Sequence, residues 1–405
     1  MLNCKMRILY NVRITGGCEM KDIKITDQIV YVGVDDKTLD LFESQYIIPN
    51  GVSYNSYMIL DEKITIMDTV DARKTEEWLT NVKEVLGDKS PAYLVVSHME
   101  PDHAASMQIL MDLYPEMMVV GNAKTFPMIQ QFFDVNLEGR MVVVKEGDTL
   151  SLGTHTLQFF MAPMVHWPEV MVTYEQSEKV LFSADGFGKF GALDAEEDWT
   201  CEARRYYFNI VGKYGAQVQG LLKKAAALEI QIICPLHGPI LKENLGYYIG
   251  KYDIWSKYEP EDEGVFIAYA SIHGNTAHAA KKLAEMLKEK GSKKVAIADL
   301  ARDDMAEAVE DAFRYNKLVV ASSTYDGGLF PCMEDFLAHL KAKNYQKRIV
   351  ALMENGSWAP MAAKKMLAYF ETMKSITVCE PIVTIKSSLK SDSLSRLKEL
   401  AEKLI

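Results

Sequence analysis

Apolar residues recur along this chain with two periods, and the order in which the periods alternate already sketches an architecture. Short apolar runs at residues 29–34, 57–60 and 63–67 read as strands. Residues 73–86 carry Trp78, Leu79, Val82, Val85 and Leu86 at helical spacing, which predicts an amphipathic helix. A strand at 93–97 follows, then a helix over about 104–113, a strand at 117–121 and a helix ending near Phe133. The next block is mostly strand, at 141–144, 156–161, 170–174 and 180–183. Two helices, about 202–211 and 216–228, precede a strand at 230–234. Strands, then helices, then a further strand predict an αββα sandwich with a site where strand ends converge.

Beyond residue 264 the pattern becomes a regular β-α-β alternation. Its strands are read at 265–270, 294–298, 318–321, 349–353 and 376–378. Five parallel strands in about 140 residues fit a flavodoxin-like doubly wound sheet. The acidic stretch Glu259-Pro-Glu-Asp-Glu-Gly264 reads as the linker between the two patterns. The expected organisation is an N-terminal extension over 1–19, a first domain over 20–260 and a second over 264–405. The first 19 residues mix charges through the segment and lack the apolar core of a signal peptide, and a cleaner pattern begins at Met20, so the preceding segment is read as an extension.

Composition narrows the class of protein. The 405 residues are 48% hydrophobic and 25% charged, an ordinary globular balance with room for two domains. The net charge of −11 argues against nucleic acid and anionic membrane surfaces as partners. No apolar run reaches about 18 residues, so no membrane span is expected. Six scattered cysteines without a C-x-x-C pair exclude a disulfide framework and a cysteine-bound iron–sulfur site, and favour reduced cysteines in a cytoplasmic protein.

The candidate chemistry sits at strand ends. The stretch Ser97-His-Met-Glu-Pro-Asp-His103 packs four metal-type ligands, His98, Glu100, Asp102 and His103, behind a buried strand. Three further strand ends present His166 before Trp-Pro, Asp185 before Gly, and His237 between Leu and Gly-Pro. Any one of these is an ordinary loop residue, but four together point to a dinuclear metal site. The mixture of imidazole with several carboxylates suits iron cycling between ferrous and ferric states better than zinc.

This order of ligands, H-x-E-x-D-H and then His, Asp and His, resembles the metallo-β-lactamase-like fold as used by flavodiiron proteins. The stretch Pro49-Asn-Gly-Val-Ser-Tyr-Asn-Ser-Tyr57 and the second domain extend the resemblance over nearly the whole chain from about Met20. Zinc hydrolases of this fold usually carry His where Glu100 stands. The resemblance implies two Fe ions per chain. His98, Glu100 and His166 would bind one iron, Asp102 and His237 the other, and Asp185 would bridge them. His103 stands where the hydrolases hold their second metal, while in many flavodiiron proteins its counterpart points away, so its role stays open.

The second domain carries a different constellation. Its first strand runs into Ser271-Ile-His-Gly-Asn-Thr276 and then a helix. Hydroxyls and backbone N–H groups at a helix N-terminus make a phosphate cradle. The loop resembles the flavodoxin phosphate loop, which implies Ser271, Asn275 and Thr276 as contacts of the FMN phosphate, with Gly274 in the same FMN-binding loop and His273 where an aromatic is often seen. Two more loops should flank the flavin ring. One holds Ser323, Thr324, Tyr325, Gly327 and Gly328; the other holds Asn355, Gly356, Ser357 and Trp358. Trp358 is read either as the residue stacked on the ring or as a core tryptophan opening the next helix. Tyr206 and Tyr207 are read either as packing residues or as a phenol near the metals.

The family resemblance implies a reductase of O2 to water or NO to N2O, fed through FMN by rubredoxin or a similar donor. O2 is the expected preference. It also implies a head-to-tail homodimer or a dimer of dimers. The alternative is a zinc-dependent hydrolase of metallo-β-lactamase type with an accessory flavodoxin-like domain, against which Glu100 and the flavin loops argue.

Overall fold

The computed structural model describes residues 23–405, so the expected extension over 1–19 lies outside the described residues. The chain divides into two compact units. One takes the described residues up to Tyr206 together with Ala216–Tyr252, and the other takes Tyr207–Gly215 and Asp253–Ile405.

The first unit is built on two sheets. A six-stranded sheet runs Ile29–Tyr31, Tyr57–Ile59, Thr65–Met67, Tyr93–Val95, Met118–Gly121, Met141–Val143. A five-stranded sheet runs Thr149–Ser151, Thr156–Met161, Met171–Glu175, Val180–Phe182, Ile232–Cys234. Alternate residues of each strand meet between the sheets: Tyr57, Ile59, Met67, Val95 and Val120 from one side, Leu157, Phe159, Met171, Val180 and Phe182 from the other. Helices cover the outer faces. Thr75–Leu86 buries Trp78, Val82 and Leu86, spaced one helical turn apart, as the apolar period predicts.

The second unit is a parallel sheet in the order Val295–Asp299, Asp262–Ala270, Tyr315–Tyr325, Arg348–Asn355, Ile376–Ile385. In chain order that is 2-1-3-4-5, with a switch point between the first and third strands. The five helices Asn275–Glu289, Met305–Arg314, Pro331–Ala342, Ala362–Phe370 and Ser391–Lys403 belong to this unit. Leu283 and Leu287 of the first and Leu397 and Leu400 of the last share one core with Ile267 and Val319 of the sheet.

Two expectations are corrected. The acidic stretch at 259–264 is not all linker, because the first strand begins at Asp262. Its carboxylate is held by Lys294 Nζ at 2.5 Å and Arg314 Nε at 2.6 Å, which lets a charged residue open a strand. The helix expected over 202–211 is α-helical only over Trp199–Tyr206 and continues as a π-helical turn, Tyr207–Val211. There the chain changes unit: Phe208 stacks on Phe313 at 4.2 Å and Asn209 donates to the Ala306 carbonyl. Among the described residues, no helix is long and apolar enough to cross a membrane.

Candidate functional site

In the first unit, four strand-end segments deliver the chemistry. After Tyr93–Val95 the chain turns at Ser97, whose amide donates to Asp68 Oδ1 at 2.6 Å; the His98 amide reaches the same oxygen at 3.3 Å. Pro101 then opens a one-turn helix, Pro101–Ala104, with Glu100 at its cap and Asp102 and His103 inside it. Asp185 follows Val180–Phe182 in a tight turn closed by Gly186 N–H to Ser183 O. His237 follows Ile232–Cys234, where Asn55 Nδ2 donates to the carbonyls of Pro235 and Gly238, both at 2.8 Å. Gly238 has φ of +78°, which a side chain rarely tolerates.

These segments bring two clusters together: His98, Glu100, His166 and Asp185, and Asp102, His103 and His237. His166 Nε2 lies 3.0 Å from Glu100 Oε2, and His98 Nε2 lies 3.3 Å from the same oxygen. His237 Nε2 lies 3.2 Å from Asp102 Oδ2 and 3.0 Å from His103 Nε2. Asp185 divides itself between the two. Its Oδ2 faces His166 at 3.1 Å and His98 at 3.4 Å, while its Oδ1 faces His103 at 3.4 Å.

The arrangement is electrostatically tense. His98 Nδ1 bonds Glu169 Oε1 at 2.8 Å and His237 Nδ1 bonds the Ser53 carbonyl at 2.7 Å. Each neutral ring therefore carries its proton on Nδ1 and turns the Nε2 lone pair inward. His98 and His166 then meet Nε2 to Nε2 at 3.2 Å, as His103 and His237 do at 3.0 Å. Both oxygens of Asp102 and both of Asp185 are buried with no hydrogen-bond partner. Lone pairs facing lone pairs inside a protein demand positive charge between them.

Without a metal, protons would have to supply that charge. Burial disfavours the charged form of His98, but the Asp185 and Glu100 carboxylates overcome it and hold the ring well above the usual imidazole range. Burial is likewise outweighed at His166, where the Asp185 and Glu100 carboxylates at its Nε2 push it up to about 9. Asp185 is held well below the carboxylate range: burial opposes this, and the charge on His98 overrides it. A cation in each cluster would do the work of those protons, so the donor set fits a pair of metal ions. The mixed imidazole and carboxylate donors suit iron.

All six residues proposed from the sequence as metal ligands are in these clusters, and His103 joins them through its inward Nε2. Glu169 was not anticipated. It is 71 residues from His98 in the chain and fully buried, and it fixes both the His98 ring and the Met99 amide. Asp68 and Ser53 were also missed; no local spacing marks them. The two tyrosines part company. Tyr206 lies 5.6 Å from the His237 ring, and burial holds its phenol well above the usual range, so it stays protonated. Tyr207 packs instead against Phe208 and Trp255 in the second unit.

In the second unit, the expected flavin residues gather at the C-terminal ends of the parallel strands. Ser271 Oγ accepts from the Gly274 amide at 3.1 Å, and Gly274, with φ of +89°, precedes the helix Asn275–Glu289. Thr276 Oγ1 and Ser323 Oγ lie 2.9 Å apart across the switch point. The Thr324 hydroxyl accepts from the Met361 and Ala362 amides, and the Asn355 side chain exchanges two bonds with Ser387 backbone. Ser357 also meets Ser387, at 2.8 Å. Tyr325 pairs with Gly328 across a turn through Gly327. Ile272, His273 and Gly274 are exposed, and Trp358 is 92% exposed, which removes the reading of Trp358 as a core residue.

The chain matches two family models, the ODP family β-lactamase over residues 52–238 and a flavodoxin domain over 266–378. It is 27% identical to a nitric oxide reductase of Moorella thermoacetica, over 94% of this chain and 98% of that one. Among solved structures, rubredoxin oxygen:oxidoreductase from Desulfovibrio gigas superposes with a TM-score of 0.88 at 27% identity, covering 94% of this chain and 97% of the other. A flavodiiron protein from Giardia intestinalis superposes with a TM-score of 0.84 at 23% identity, covering 94% and 96%, and shows the common fold.

Proposed function

This chain belongs to the flavodiiron proteins, and from that premise we propose that it reduces O2 to water or NO to N2O, drawing electrons from an external donor through FMN. The observation that carries the reading is the Asp185 carboxylate, which turns one oxygen to each of two ligand clusters. His98, Glu100 and His166 would hold one iron. Asp102, His103 and His237 would hold the other, and Asp185 would bridge them. The loop after Ala270, the strand end and turn over residues 323–328, and the segment from Asn355 to Trp358 would hold FMN, with Ser271, Asn275 and Thr276 at its phosphate and Trp358 against its ring.

Bound there, the flavin would accept electrons and release them singly, and the iron pair would bind and reduce the diatomic gas. The chain's own part is to hold and to orient. Glu169 and the Ser53 carbonyl aim the Nε2 atoms of His98 and His237 inward. Tyr206 keeps its proton and sets a neutral phenol ring beside His237. A rubredoxin-like protein is the proposed donor. A head-to-tail homodimer, in which one subunit's flavin serves its partner's metals, is the proposed assembly.

The test is protein purified without oxygen, examined by metal analysis, visible spectrum and gas consumption with a reduced rubredoxin. About two irons and one FMN per chain with turnover of either gas support the reading. Stoichiometric zinc with hydrolysis of a lactam or ester, and no gas reduction, overturns it.

A further inference from the structure

Within the first unit, the outer face of the five-stranded sheet and the helix Gly215–Ala225 line an apolar cavity of about 30 Å³. One water needs roughly 10–15 Å³ by this measure, so the space suits one or two very small molecules. Val172 and Leu181 wall it from the sheet, and Val218 and Leu222 from the helix.

Its remaining wall is the backbone that carries two of the proposed ligands. Val165 precedes His166, and Ser183 and Gly186 bracket Asp185. Phe187 and Tyr252 close this side, their rings 4.4 Å apart. Phe187 is fixed there with φ of +66°, uncommon for a bulky residue, and its amide donates to Tyr252 Oη at 2.7 Å.

The polar atoms of the wall are engaged elsewhere. Ser183 Oγ donates to the Gly186 carbonyl at 2.6 Å, and Lys224 Nζ donates to Glu146 and to the Met161 carbonyl, both at 2.8 Å. A water inside would lack the two to four polar partners that hold buried water. An apolar diatomic molecule needs none, and transfer from water into such a space favours it.

We infer that this cavity is a holding site for the small apolar gas, set against the Asp185 turn of the metal centre. The inference rests on the gas-reductase reading. It assigns the cavity a role in capture, at low gas concentration, and none in the chemical step.

Xenon is the probe, since it binds dry apolar cavities. Crystals of the holoprotein under xenon pressure should show the atom between Val172, Leu222 and Phe187. Leu222→Trp and, from another element, Val172→Phe should each exclude it. In gas kinetics with saturating donor, both variants should lower kcat/KM for the gas by about threefold or more while kcat at saturating gas stays within about twofold. No xenon in the cavity of an active wild-type protein overturns the inference. So does unchanged kcat/KM in a variant shown to exclude xenon. Xenon in the cavity of a protein that reduces neither gas sinks the functional reading instead.

Discussion

The two proposed cofactor sites are built in opposite ways. At the metal centre, His98, His103, Asp185 and His237 are each no more than 1% exposed, and two of the rings are held from behind by a carboxylate or a carbonyl. At the flavin loops, Ile272, His273 and Gly274 lie open, and Trp358 is 92% exposed. The difference lies in what each ligand must overcome. A metal ion has to displace several waters and find its donors already in place, and the chain keeps those donors together at an electrostatic cost that the ion removes. A flavin brings a large apolar ring of its own. It needs a phosphate cradle and a surface to lie on, so its loops can wait in solvent without strain.

That contrast can be broken in order of effect. The largest is expected at Asp185. Asp185→Ala removes a carboxylate shared by both clusters, so metal content should fall from about two ions per chain towards none and gas turnover by roughly a thousandfold or more. Elemental analysis that still finds two ions would show that the carboxylate does not bridge.

His103→Ala should be milder and one-sided. With the His103 imidazole gone, the Asp102–His237 cluster loses one of its inward nitrogens, and the chain should retain about one ion. Two ions in this variant would return His103 to a spectator role. This experiment decides what the sequence left open.

Glu169→Gln keeps size and shape but removes the buried charge behind His98. A loss of metal affinity of about 10- to 100-fold is expected, read by competition with a chelator, while the far-ultraviolet circular dichroism stays unchanged. Unchanged affinity would mean that packing alone orients the His98 ring.

The smallest effect on the protein itself belongs to the flavin side. Trp358→Ala removes an exposed ring, so the stability of the flavin-free chain should change by less than about 0.5 kcal/mol. FMN affinity should nevertheless weaken by about fivefold, the loss of one aromatic contact. A large drop in stability would show that Trp358 supports the fold and would blur the contrast between the two sites.

Much of this protein is determined by the chain read in order. The apolar period over Thr75–Leu86 specifies a helix and its buried face, because a helix must put every third or fourth residue on one side. The five β-α units after residue 262 specify a parallel doubly wound sheet, because such crossovers pack in few ways. His98, Glu100 and Asp102 lie within five residues of one another, so their common purpose is visible without coordinates. Tertiary structure decided the rest. Glu169 meets His98 across 71 residues and Ser53 meets His237 across 184, and a contact at that separation leaves no local period or spacing. The inward turn of His103 depends on where the sheets bring Asp185 and His237. Residues 207–215 belong to the second unit because Phe208 finds Phe313, a partner more than a hundred positions away. Periodicity records which face of an element is apolar. Only the packed fold sets which faces and loop ends meet, and with them the charges, the apolar cavity and the chemistry.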